Sequence, residues 1–182
     1  PAGRPVIDIE TPRLTLRLVP LAGLVATVGK DMPACRRMIG TQLTEDWFED
    51  SWVADLRLKQ WKADPGYAPW SIRAICLRSS GTVIGHMNAH AVPELHTQDG
   101  ESGSLVEIGY TIFAPWRRQG YAYEMVRGYA QFASARGLRW LRLSIAPGNE
   151  ASLALARKLG VRMIGSQIDE IDGPEDIYLL DL

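Results

Sequence analysis

The stretch Arg117-Arg118-Gln119-Gly120-Tyr121-Ala122 constrains this chain more than any other. It joins an apolar, strand-like run (Val106 to Phe113) to a strongly patterned helical segment (Ala122 to Arg136). A glycine at a strand-to-helix turn leaves backbone N–H groups pointing outward, and the helix dipole adds partial positive charge there. Such a turn suits a phosphate group, and two neighbouring arginines match phosphate oxygens well. A P-loop would close a longer glycine loop with Lys-Ser or Lys-Thr, and none is present. A dinucleotide fingerprint would need two further glycines opening a βαβ unit. The string does match Q/R-x-x-G-x-G/A, with Arg117 first, Gly120 fourth and Ala122 sixth. Six loosely specified positions are also compatible with an ordinary helix start.

The rest of the chain narrows the setting. Its 182 residues fit one domain (1–182) with a proper core, and 46% apolar with 23% charged residues is ordinary for a soluble globular protein. A net charge of −1 gives no basic field for nucleic acid. No apolar run approaches the roughly 20 residues that span a bilayer. Pro1 to Asp8 lacks a secretory pattern. Cys35 and Cys76 form no spaced metal motif and read as free thiols in a reducing compartment, so cytoplasm is the expected location and no metal is expected.

Periodicity supplies the elements. Leu14, Leu16 and Leu18 alternate as a half-buried strand. Pro20 to Gln42 is broken by glycines and prolines into short helical pieces or loop. Glu45 to Lys62 lacks both breakers, and Phe48, Trp52, Leu56 and Lys59 fall at near-helical spacing, which predicts one helix. Trp70 to Arg78 reads as a strand with Trp70, Ile72, Ala74 and Cys76 on one face, and Val83 to Val92 as its partner. Pro93 to Gly103 reads as an exposed loop, followed by the Val106–Phe113 strand. In the next helix, Ala122, Met125, Val126, Tyr129 and Ala133 share a face, and Gly137 stops it. Leu141 to Ile145 is a strand, Asn149 caps a helix running to Leu159, and Val161–Gln167 and Ile177–Leu182 are final strands around an acidic connection, Asp169 to Asp176. The order β-αα-βββ-α-β-α-ββ predicts an α/β (α+β) fold: a mixed sheet of about seven strands packed by helices.

Three segments carry a resemblance. VEIGYTIFAPWRRQGYA (Val106 to Ala122), APGNEASLALARKLGV (Ala146 to Val161) and TPRLTLRLV (Thr11 to Val19) occur in the order found in the GNAT superfamily of acyl-CoA-dependent N-acyltransferases. They resemble its ribosomal-protein N-terminal acetyltransferase branch and make up 42 of the 182 residues. The resemblance implies a mostly antiparallel sheet splayed between strands four and five, acetyl-CoA as co-substrate, and direct attack by an amine. Ala114 stands where many relatives have proline, and Val161 where many have phenylalanine. A tyrosine that often serves as general acid would fall at Ala156, so that group is missing.

The resemblance also distributes roles. The backbone of Arg117, Arg118, Gln119, Gly120, Tyr121 and Ala122 would hold the pyrophosphate. The backbone near Tyr110 and Ile112 would hold the pantetheine arm, with the Ile112 N–H as oxyanion donor worth roughly 3 kcal/mol; simple packing is expected of both side chains. Asn149 reads as an N-cap, alone or with a contact to the pantetheine or acceptor. Ser152 is either a small polar residue near a helix start or the donor to the leaving thiolate. Glu107 is either the group that relays a proton from the ammonium or a strand carboxylate in a salt bridge. His86 and His90 sit on one predicted strand face about 13 Å apart, too far to share a metal ion, and with His96 read as structural or surface.

An acceptor would enter between acidic segments, Glu45, Asp46, Glu49, Asp50 and Asp55 early and Asp169 to Asp176 late. Either these are solvated faces or they favour a cationic amine, such as a peptide N-terminus or a small cationic molecule. The competing reading is a non-catalytic acyl-CoA-binding regulatory module. Monomer and homodimer stay open.

Overall fold

The alternating runs assemble into one open mixed sheet with helices on both faces. The computed structural model describes residues 8–170 and 173–182. Expectations attached to residues 1–7 and to Ile171 and Asp172 of the acidic connection lie outside them. The strands are β1 (Ile9–Glu10), β2 (Leu14–Leu18), β3 (Arg73–Leu77), β4 (Val83–Ala89), β5 (Glu94–Gln98), β6 (Glu101–Ile112), β7 (Trp140–Ile145), β8 (Arg162–Asp169) and β9 (Gly173–Asp181). The helices are α1 (Leu21–Val28), α2 (Met32–Met38), α3 (Ser51–Ala63), α4 (Tyr121–Ser134) and α5 (Glu150–Leu159). The order across the sheet is β1-β2-β3-β4-β6-β7-β9-β8, with β5 paired to the first half of β6. Every pairing is antiparallel except β6 with β7.

Both faces of the central strands are buried, and the core divides accordingly. On one face Leu14, Leu16, Ile75, Ile84 and Met87 pack with Met125, Val126 and Tyr129 of α4. On the other, Ile72, Ala74 and Cys76 pack with Leu24 of α1, Cys35 of α2 and Val53 and Leu58 of α3. Each large apolar side chain so buried contributes about 1.5–3 kcal/mol. The α4 stripe is the one its periodicity predicts, and Gly137, at φ +84°, stops the chain just beyond it.

Four expectations need correction. Among the described residues the sheet has nine strands where about seven were expected, because β1 is only two residues long and because Pro93–Gly103 is no loop. That segment forms the β5–β6 hairpin, turning at Asp99 and Gly100 with φ of +53° and +80°. Leu95 is 85% exposed, so β5 has no apolar face for periodicity to report. The predicted helix over Glu45–Lys62 is broken into a 3₁₀ turn, Glu45–Phe48, and α3. The break shifts its phase: Val53, Ala54, Arg57 and Leu58 face inward, while Trp52 is 52% exposed. Trp70 closes a 3₁₀ turn before β3 and joins the α4-side core, away from Ile72, Ala74 and Cys76. Lastly, the acidic connection is largely strand, with Asp169 ending β8 and Gly173 opening β9.

Candidate active site

Strands β6 and β7 run side by side only over Leu105–Glu107 and Trp140–Arg142. Beyond Glu107, β6 stays with β4 through Ile112, whereas β7 stays with β9 through Ile145. A V-shaped gap therefore opens between them, the splay expected of strands four and five. His90 N–H donates to the Glu107 carbonyl and Phe113 N–H to the Ile84 carbonyl, so the odd residues of β6 direct their main chain to β4. Ladder alternation turns the N–H and C=O groups of Ile108, Tyr110 and Ile112 toward the gap. Arg117 Nε donates to the Ile112 carbonyl at 2.8 Å and ties the following turn to this edge.

That turn ends in two left-handed residues, Arg118 at φ +61° and Gly120 at φ +82°. Gly120 is the N-cap of α4, and no side chain caps the helix. The first-turn N–H groups thus face outward with the positive end of the dipole behind them. Arg117 and Arg118 are exposed beside them, and Tyr121 and Ala122 pack partly on the core. The turn is held from the residues just before β2. Arg13 Nη1 donates to the Gln119 carbonyl at 3.1 Å, its guanidinium lies 4.4 Å from the Tyr121 ring centre, and its Nε meets Glu124 Oε2 at 2.6 Å. Burial alone would raise the Glu124 pKa, but bonds from the Thr11 hydroxyl and from the Arg13 N–H and guanidinium together hold its carboxyl below the usual range. Gly128 permits this close approach, since a Cβ there would lie 2.5 Å from Thr11 Cγ2. A cavity of about 550 Å³ opens alongside, lined by Arg13, Gln119, Gly120, Tyr123, Arg127 and Lys158.

On the α4–α5 face of the gap, the Tyr110 and Ser152 hydroxyls lie 3.3 Å apart. Asn149 Oδ1 accepts the Ser152 N–H at 3.1 Å, the N-cap geometry expected of it. Ala156 is buried in the core. Burial pushes the Tyr110 hydroxyl pKa up, against a smaller opposing effect of Ser152, so it stays protonated at neutral pH. Packing was the only expectation for that ring. The hydroxyl beside Ser152 is a donor that sequence reading missed, because 42 residues separate the pair.

Glu107 lies on the opposite face. Its carboxylate sits 3.5 Å from His90 Nδ1 and 3.8 Å from Arg142 Nη1, at the apex where β6 and β7 part. Farther along the same face, Thr111 donates to Asp50 Oδ2 at 2.8 Å, and His86 Nε2 lies 3.1 Å from the same oxygen. His86 is therefore an inward-facing partner of a carboxylate, packed edge-on between Trp47 and Phe113, and neither it nor His90 is an isolated surface histidine. Asp55 pairs with Lys59 on the exposed side of α3, so the early acidic residues do not act as one surface. Among the described residues, no group of three or more His, Cys, Asp or Glu is arranged to hold a metal ion.

Residues 13–162 match the family model described as an acetyltransferase (GNAT) domain. The chain belongs to the GNAT family. No curated protein sequence matches it. Solved structures share the fold at low identity. A ribosomal-protein-S5-alanine acetyltransferase from Vibrio fischeri has a TM-score of 0.61 at 16% identity, covering 97% of this chain and 96% of that one. The microcin C7 self-immunity acetyltransferase MccE, in complex with acetyl-CoA and AMP, has a TM-score of 0.60 at 14% identity, covering 100% and 97%. RimJ from Mycobacterium smegmatis, in complex with CoA-disulfide, has a TM-score of 0.59 at 16% identity, covering 96% and 86%. Among the described residues no helix is long and apolar enough to cross a membrane.

Proposed function

We propose that this GNAT protein transfers the acetyl group of acetyl-CoA to a primary amine by direct attack, as one domain spanning the chain. The observation that carries the proposal is the uncapped, left-handed turn at Gly120 running into the unpaired edge of β6. Two phosphate groups fit the first, and an amide-containing arm fits the second as an added strand. In this reading, the backbone of Arg117 through Ala122 holds the pyrophosphate and the guanidiniums of Arg117 and Arg118 flank it. The Tyr110 and Ile112 main chain binds the arm. The Asn149 amide nitrogen is left for the arm, because its oxygen is used by the cap.

The proton steps divide between the two faces of the gap. Glu107 takes a proton from the ammonium and passes it to solvent. The amine lone pair forms the N–C bond, the C–S bond breaks, and the sulfur takes a proton from the Tyr110–Ser152 pair. The second amine proton restores that pair through water. Tyr110 thereby stands in for the tyrosine missing at Ala156. A reducing cytoplasm suits Cys35 and Cys76, both free and buried. Calorimetry with coenzyme A and thiol release with a panel of amines test the reading together. Heat of binding with amine-dependent release is expected. Binding without release would leave the regulatory module, and no binding would remove both.

A further inference from the structure

Asp50 occupies the N-cap position of α3, where an aspartate ordinarily accepts N–H bonds from the first turn and stabilises the helix by about 1 kcal/mol. Its side chain makes no capping bond. The carboxylate turns to the sheet, where Oδ2 accepts from Thr111 of β6 and from His86 of β4, residues paired across the ladder. Because an ionised carboxylate only accepts, His86 Nε2 carries a proton toward it. The other ring nitrogen, Nδ1, is buried with no hydrogen-bond partner among the described residues, on a side chain 8% exposed. Two local sacrifices, a forgone helix cap and an unsatisfied buried nitrogen, thus hold one carboxylate in place. Such conflicts with local preference mark functional positions.

The place it is held is informative. Thr111 lies on the stretch of β6 that borders the gap, and its side chain shares the α3 face with Glu107. The Asp50 side chain is 31% exposed, and Oδ1 makes no bond to any described residue. The hydrogen bond from His86, joined by that from Thr111, holds its carboxyl below the ordinary aspartate range. A carboxylate kept ionised in this way suits a cation that stays charged. Bound to the reacting ammonium, it would oppose loss of the proton. Glu107 and Thr111 stand four residues apart on one strand face, about 13 Å at roughly 3.3 Å per residue.

Resting on the transferase reading above, we infer that Asp50 anchors a second, non-reacting ammonium of the acceptor, while Glu107 serves the amine that reacts. The acceptor class is a small polycationic amine, with two amino groups separated by an extended aliphatic span. His86 and Thr111 are positioning residues for Asp50.

The test compares spermidine, n-butylamine and a short neutral peptide with a free α-amine as acceptors for the intact protein. Spermidine is expected to have the lowest KM. Asp50→Asn should raise the spermidine KM about ten-fold, leave kcat within about two-fold, and leave the butylamine kinetics unchanged. Thr111→Val, which frees Asp50 without removing its charge, should raise the spermidine KM by less, and thermal melts of both variants confirm that they fold. An unchanged spermidine KM in Asp50→Asn overturns the inference, as does an equal loss for butylamine or a wild-type preference for the peptide. Absence of turnover with all three amines instead overturns the transferase reading and the inference with it.

Discussion

The N-termini of α4 and α5 flank the same gap and are built in opposite ways. Helix α5 begins at Asn149, whose side chain satisfies the Ser152 N–H, so its first turn is closed by the protein itself. Helix α4 begins at Gly120 with no capping side chain and with its loop locked from outside by Arg13. One end is finished locally and contributes stability. The other is left open, and its rigidity comes from Arg13, more than a hundred residues away in sequence. A helix start left without a cap but rigidly braced is suited to bind an anion, whereas a capped one is suited to carry side chains to a site.

Substitutions can break this contrast or sharpen it. The largest effect is expected for Gly120→Val, which places a branched side chain at φ +82°. Coenzyme A affinity should fall about 100-fold by calorimetry, since a left-handed backbone costs an L-residue roughly 1–2 kcal/mol and the added bulk shields the turn. Unchanged affinity would mean that α4 is not the phosphate site. Glu124→Gln should cost about 1–2 kcal/mol of stability at pH 7, by loss of charge-assisted bonds to Thr11 and Arg13. The sign with pH follows from its depressed folded-state pKa. The contribution is full above the unfolded carboxyl value of about 4.3 and vanishes as pH falls through the lower folded value. Urea melts of both proteins should therefore converge in acid, and a constant difference would refute the linkage. The smallest effect is expected for Asn149→Ala, about 1 kcal/mol in stability with at most a few-fold change in coenzyme A affinity. A loss of affinity matching that of Gly120→Val would erase the distinction between the two ends.

What could be read from the chain follows the same division between local and distant order. Helix α4 was legible because Met125, Val126, Tyr129 and Ala133 recur at helical spacing, and α5 because Asn149 and Gly160 bracket it. The phosphate-type turn was legible because its residues are contiguous. The break before α3 was not, since Phe48, Trp52 and Leu56 continue a helical spacing that the backbone abandons at Asp50. Nor were the pairs Tyr110–Ser152, Thr111–Asp50 and His90–Glu107, which exist only once strands are in register. The β5 edge escaped because a strand without an apolar face leaves no alternation.

The zipped stretch Leu105–Glu107 against Trp140–Arg142 has a further consequence. It is the floor of the slot, made of main-chain bonds rather than of a movable side chain. Whatever lies along the β6 edge can extend inward only until it reaches this seam, so the ladder itself sets the depth of the slot.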